Sequence, residues 1–166
     1  MTDARDTAGV IAPPPLIAAA TILFGLMLDW LLPAYVLTTL LTFPARIVVG
    51  VIVFAAGVCF GIPAVLAFRS GGTHVEPWKP SSALVTGGIF QWLRNPMYVG
   101  LALGVAGIGI ALASDWTLVL LVPAAFVMHF GVVRREERYL EVKFGNAYRS
   151  YKAQVPRYGW PPAGIG

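Results

Sequence analysis

The sequence predicts an all-α integral membrane protein of four transmembrane helices, with a helical hairpin in its second half and an amphipathic tail helix on the cytoplasmic side. Three observations carry this expectation. Hydrophobic residues make up 57% of the 166 positions and charged residues only 12%, with a mean hydropathy of +0.73, where a soluble domain is about 25% charged. The apolar residues gather into runs that approach or exceed the roughly 20 helical residues needed to cross a hydrocarbon core. Threading the chain through four spans then leaves eleven of its twelve Lys and Arg on one side.

The spans are read in order. Pro15 to Leu32 and Ile47 to Phe68 each suffice for one crossing. The third apolar block, Met97 to Val133, is too long for one helix and is interrupted only at Ser114-Asp115. Splitting it there gives two short antiparallel helices joined by a tight turn. Arg5, Arg69, Lys79, Arg94, Arg134, Arg135, Arg138, Lys143, Arg149, Lys152 and Arg157 then face Arg46 alone. Short loops that keep Lys and Arg are cytoplasmic, so both termini are expected there. Met1 to Ala12 lacks the basic start, short apolar run and cleavage site of a removed signal peptide, so the first helix is expected to stay. One domain results: two N-terminal spans (1–68), a cytoplasmic loop (69–95), the hairpin (96–133) and a tail (134–166). The lipid bilayer is the expected partner, and nucleic acid is not; the glycine patterns leave the oligomeric state open.

Within the first two spans the expectations are structural. Gly57-x-x-x-Gly61 allows close helix approach, Pro63 is expected to kink the second span, and Asp29 reads as a solvated interfacial aspartate. Cys59 is the only cysteine, and His74 and His129 are the only histidines. No intramolecular disulfide is therefore expected, and no metal site.

The stretch G-I-F-Q-W-L-R-N-P-M-Y-V-G, Gly88 to Gly100, is different in kind. Asn95 at an N-cap and Pro96 at the first helical position are a helix-start signal. Arg94 therefore stands beside the positive end of a helix dipole, a combination that favours an anion unless Arg94 serves only as a positive-inside anchor. Tyr98 follows one turn on, and Gly100, Gly104 and Gly107 line one side, clearing room for a neighbouring helix or a ligand. After the hairpin comes R-R-E-E-R-Y-L-E-V-K-F-G-N-A-Y-R-S-Y, with Glu136, Glu137 and Glu141 interleaved among arginines at helical spacing and Gly145 breaking the pattern. A self-paired helix on anionic lipid explains that spacing. His129, seven residues before Glu136 and so on nearly the same face, adds an ionisable group inside a membrane helix, which marks a functional candidate.

Taken in order, Arg94-Asn95-Pro96-Met97-Tyr98-Val99-Gly100, then Glu136-Glu137-x-x-Leu140, then Phe144-Gly145-x-x-Tyr148-x-x-Tyr151 and Val155-Pro156-Arg157 resemble the isoprenylcysteine carboxyl methyltransferase and phospholipid methyltransferase superfamily. The likeness covers about Gly72 to Trp160. It implies a helical membrane enzyme that binds S-adenosylmethionine in a cytoplasmic pocket made by the hairpin's end and the tail, and releases S-adenosylhomocysteine. By that resemblance Arg94, Pro96, Tyr98, Gly100, Glu136, Glu137 and Leu140 belong to the cofactor segments, and Tyr148, Tyr151 and Arg157 to the tail motif. Arg94 with the helix start suits the cofactor's carboxylate, and Glu136 or Glu137 its ammonium or ribose hydroxyls. Arg94, Glu137 and His129 are the catalytic candidates. A carboxylate or thiolate acceptor needs no strong base, whereas an amine must be unprotonated, and Glu137 or His129 would then serve as base. Asn95 stands where the eukaryotic carboxyl methyltransferases usually have His, and the chain lacks the extra spans of larger members, so the acceptor stays open among a prenylcysteine carboxylate, a phospholipid amine and a small thiol. The expected setting is a bacterial inner membrane with a lipophilic acceptor. Two other classes compete: an NADPH-dependent membrane reductase of the sterol-reductase type, and a non-catalytic four-helix scaffold.

Overall fold

Proline marks where the long apolar helices begin. In the computed structural model, which describes residues 6–159, α1 (Pro14–Leu31), α3 (Phe43–Ser70) and α4 (Pro96–Leu112) each carry Pro in their first two positions, where its missing N–H costs nothing. Arg5 and Trp160 lie outside the described residues. A short α2 (Val36–Leu40), not anticipated from the sequence, fills the connection between α1 and α3. After α4 come α5 (Asp115–Met128), a π-helical turn (His129–Val133), α6 (Arg134–Phe144) and α7 (Asn146–Gln154). The described residues are helix and loop, without a strand.

Three helical stretches are long and apolar enough to cross a membrane: Pro14–Leu31, Phe43–Ser70 and the continuous Asp115–Phe144. α4 is apolar but has only 17 residues. The boundary expected between the last span and the tail at Arg134 is therefore no break in the helix, since α5 passes through the π turn into α6 without a loop. Pro63 likewise sits inside an unbroken α3. Leucine, isoleucine, valine and phenylalanine cover the outside of the bundle, with Leu23, Ile52, Val122 and Phe126 all more than half exposed, the reverse of a water-soluble surface.

α4 is the central helix, with α3 along one side and α1 and α5 on the other. Its contact with α3 is built from glycine. A Cβ on Gly57 would lie 2.6 Å from the carbonyl oxygen of Gly100, and one on Gly100 would lie 2.6 Å from that of Gly57; Gly50 and Gly107 repeat the arrangement at 2.7 and 2.6 Å. The buried positions on α3 are Gly50, Gly57 and Ala64, seven apart, so the helices meet backbone to backbone along their length. Gly61, which shares the four-residue pattern with Gly57, faces open space.

The turn between α4 and α5 is closed by Ala113 in the left-handed region (φ +55°) and by Ser114, which caps α5 by accepting from the Thr117 N–H at 3.2 Å. Asp29 is not a free solvated group. It accepts from the Ser114 hydroxyl and, at 3.3 Å, from the Trp116 N–H, because the amino end of α5 offers unpaired donors and a positive dipole. Asp115 in turn accepts from the Val36 and Leu37 N–H groups at 2.8 and 2.9 Å. At the opposite end of the bundle, the first described residues are fastened to α6. Lys143 bonds the Asp6 carboxylate at 2.7 Å, Tyr139 donates to it at 3.0 Å, Arg135 donates to the Gly9 carbonyl at 2.8 Å, and the Ile11 N–H reaches the Gly131 carbonyl in the π turn at 3.1 Å.

Since the α3–α4 contact leaves no room for a methyl group, Gly57→Ala should lower stability by about 1–3 kcal/mol. Gly61→Ala, into open space, should stay within about 0.5 kcal/mol of the parent. Thermal denaturation of the detergent-purified pair gives the comparison, and equal midpoints would contradict the packing described.

Candidate active site between two cavities

The tail end of the bundle gathers the charged side chains that the sequence singled out. Arg94 is the penultimate residue before α4; its backbone N–H donates to the Pro156 carbonyl at 2.9 Å, which brings the C-terminal segment against the start of the helix. Glu137 projects from the first turn of α6 and is 8% exposed. Arg94 Nη1 meets its Oε1 at 3.0 Å. From the C-terminal segment, Arg157 binds the same carboxylate through two nitrogens, Nε to Oε1 at 2.9 Å and Nη2 to Oε2 at 2.6 Å. One buried anion is thus held by two guanidiniums, the second in the two-pronged geometry that makes such pairs strong. The bond to Glu137 pushes the Arg157 pKa further above its ordinary value.

Tyrosines frame this triad. Arg94 Nη1 also lies 3.4 Å from the Tyr148 hydroxyl, and Tyr151 donates to the Phe90 carbonyl at 2.7 Å. Burial pushes the Tyr148 hydroxyl up to about 12, with the neighbouring Glu137 carboxylate adding to the effect; Tyr151 is raised as well, again chiefly by burial. Both stay protonated through the physiological range, available as donors that add no charge. Arg94 Nε is buried and has no hydrogen-bond partner among the described residues.

Asn95 occupies the N-cap position of α4 but does not cap it. Its side chain accepts nothing from the helix, and its amide instead donates to the Arg157 carbonyl at 3.4 Å. The first N–H groups of α4 are therefore left without a side-chain acceptor beside Arg94, the electrostatic setting of an anion subsite.

Two cavities adjoin this cluster. A small polar one of about 40 Å³ is lined by Arg94, Asn95, Glu136, Glu137, Leu140, Tyr148 and Tyr151, together with the loop after α3. A larger one of about 490 Å³ lies between α1, α4 and α5, with walls from Ile17, Val105, Leu121, Phe126 and Met128 and polar side chains from Thr21, Tyr98, His129 and Tyr158. One pair of side chains links them: Tyr98 lines the apolar cavity, Glu136 lines the polar one, and the Tyr98 hydroxyl donates to Glu136 Oε2 at 2.6 Å.

Of the sequence candidates, Arg94, Glu136, Glu137, Leu140, Tyr148 and Tyr151 meet around the polar cavity, with Arg157 bonded to Glu137 and Tyr98 to Glu136. Pro96 is buried as the first residue of α4, and Gly100 sits against Gly57 of α3, away from the polar cavity. His129 lines the apolar cavity and shares a 2.9 Å hydrogen bond with Tyr158. The expectation that His129 and Glu136 share a face does not survive the π turn between them, whose wider winding shifts the register of α6 relative to α5. Tyr158 was not anticipated. The one available signal for Tyr158 was its place directly after Arg157.

A family model described as phospholipid methyltransferase matches residues 45–147, from the start of α3 into α7. Among curated proteins, the protein-S-isoprenylcysteine O-methyltransferase of Xenopus laevis is 31% identical over 111 residues. That alignment takes in 66% of this chain and 38% of the frog protein, so the chain spans well under half the length of its relative. No solved structure matches.

If Glu137 is the anion that both arginines share, Glu137→Gln leaves two guanidiniums without a countercharge. The expected loss is on the order of 2–4 kcal/mol, reduced from the fully buried case because Arg157 is about one-third exposed. Tyr148→Phe, which removes only a 3.4 Å contact, should cost about 1 kcal/mol or less. Thermal shift of the two purified variants ranks them, and the reverse order would contradict the assignment.

Proposed function

The chain belongs to the phospholipid methyltransferase family, and from that premise we propose that it is an S-adenosylmethionine-dependent membrane methyltransferase that alkylates a lipophilic acceptor. The observation that carries this reading is the pair of cavities, one polar and one apolar, meeting at the Tyr98–Glu136 contact. A charged methyl donor and a greasy acceptor need opposite surroundings that touch at one point.

The side chains around the polar cavity fit the donor. Arg94, with its unpartnered Nε and the uncapped start of α4, suits a carboxylate. Glu137 and Glu136 suit an ammonium or ribose hydroxyls, and Leu140 with Phe90 and the tail tyrosines offers an apolar slot for a purine ring. When bound, S-adenosylmethionine supplies a methyl group on a sulfonium. The chain's own part is alignment and exclusion of water, with orientation alone worth roughly 7 kcal/mol or more of barrier. Tyr98 and Glu136 hold the boundary across which donor and acceptor face each other. The apolar cavity, with neutral groups at its polar end, suits the reacting end of a lipid entering from the bilayer between α1, α4 and α5. With an amine acceptor, His129 is the lining group placed to take its proton.

The same reading gives the topology. A 17-residue α4 is about 25 Å long and runs beside α3 from Gly100–Gly57 to Gly107–Gly50. It is the third of four crossings in chain order, one residue shorter than α1, and sufficient for a bilayer that adjusts to short helices. The tail end of the bundle, with α6, α7 and the donor site, faces the cytoplasm of a bacterial inner membrane, as the eleven-to-one distribution of basic residues favours.

Calorimetry of S-adenosylhomocysteine with the detergent-purified protein tests the cofactor assignment. Wild type should bind, and Arg94→Ala and Glu137→Ala should each weaken binding by more than about tenfold while remaining monodisperse on a sizing column. Folded wild type that takes up no S-adenosylhomocysteine would refute the assignment. Leu121→Trp, which fills the apolar cavity, should leave that binding intact and depress methylation of lipophilic acceptors.

A further inference from the structure

Two adjacent residues of the C-terminal segment serve different cavities. Arg157 binds Glu137, a wall of the polar cavity, while Tyr158 lines the apolar cavity and is bonded to His129 at 2.9 Å. Their backbone is pinned between these contacts. The Pro156 carbonyl accepts from the Arg94 N–H at 2.9 Å and the Arg157 carbonyl from the Asn95 amide at 3.4 Å. Residues 156–158 thus form one short strap that presents Arg157 to the wall of one cavity and Tyr158 to the other, from Cα atoms about 3.8 Å apart.

The strap touches the polar cavity from behind, through the bonds of Arg157 to its wall residue Glu137. As it stands that cavity measures about 40 Å³, an order of magnitude below the roughly 300 Å³ at which small-molecule sites begin. Both oxygens of Glu137 are taken by Arg157, and one is also met by Arg94. A ligand that takes over the Glu137 carboxylate displaces Arg157, and the shift of the strap backbone that follows carries Tyr158 with it. Tyr158 is 46% exposed at the rim of the apolar cavity, so its departure widens that cavity on the tail side. Both strap residues lie beyond the segment matched by the family model, which ends at 147.

We infer that the Pro156–Tyr158 strap couples the two cavities: a ligand entering the polar cavity breaks Arg157 from Glu137 and, through the same strap, Tyr158 from His129, opening the apolar cavity to the acceptor. The inference rests on the polar cavity being the cofactor site. It makes the order of binding a property of the strap, with donor before acceptor. By linkage, an occupant of the opened apolar cavity also strengthens donor binding.

Thiol labelling tests this on the full-length protein. Thr21 is buried and lines the apolar cavity, so Thr21→Cys in a Cys59→Ala background reports access to it with N-ethylmaleimide. Saturating S-adenosylhomocysteine should speed labelling about fivefold or more, in the range of ordinary coupling between sites. Tyr158→Phe and His129→Gln remove the same bond from its two ends. In either one, labelling without S-adenosylhomocysteine should already be fast and its addition should change little. Calorimetry on the same samples separates the failures. If S-adenosylhomocysteine binds but labelling does not change, or if both variants keep the full ligand-dependent increase, the coupling is wrong and the cofactor site stands. If it does not bind folded protein, the cofactor reading falls and the coupling with it.

Discussion

Glu137 is a carboxylate in a place where a lone charge would not survive, and the arrangement of the tail end follows from that constraint. A buried anion must be paired, and here the partners come from two distant parts of the chain, Arg94 before α4 and Arg157 after α7. Pairing the three draws the C-terminal segment across the start of α4, where Pro156 accepts from the Arg94 N–H and Asn95 turns from capping the helix to bonding the strap. The amino end of α4 is left unpaired as a result. What looks like an incomplete cap is the by-product of satisfying a more expensive group.

The glycine contact between α3 and α4 supplies the other half of the geometry. In lipid, water does not drive helices together, so close backbone approach and dispersion have to suffice. Gly50, Gly57, Gly100 and Gly107 provide that approach without side chains. This keeps the opposite side of α4 free to carry Tyr98 and Val105 toward the apolar cavity. A central helix of only 17 residues can then serve two neighbours at once, backbone on one face and side chains on the other.

Much of this was legible from the residues. The apolar runs, the start of α4 at Asn95-Pro96, the hairpin break at Ser114-Asp115 and the helix end at Gly145 are local signals, and local signals survive folding. The gathering of Arg94, Glu136, Glu137, Tyr148 and Tyr151 was expected from the family resemblance that their motifs carry. What escaped were the contacts with distant partners that no motif announces. Asp29 looked solvated because nothing near it in sequence announces the amino end of α5. Glycines four apart drew attention, while the spacing of seven that packs α3 on α4 became visible only with the second helix in place. The π turn has no residue signature, yet it sends His129 and Glu136 to different cavities. Arg157 came through the tail motif, and Tyr158 had no motif at all.

The fastening of the first described residues to α6 bears on the order in which the molecule is made. Asp6 waits for Lys143 and Tyr139, and Ile11 waits for Gly131, so α1 is inserted long before its anchor has been synthesised. Contacts that span so much of the chain close last, because the loop between them must be paid for first. The charged cluster around Glu137 is completed by the same late segment, since Glu137 lies on α6 and Arg157 follows α7. Until those residues leave the ribosome, the growing protein is a set of inserted helices without Glu137, and so without the charge that organises its tail end. Insertion of the first helices and completion of the charged cluster around Glu137 are therefore separated in time by the synthesis of α6, α7 and the strap.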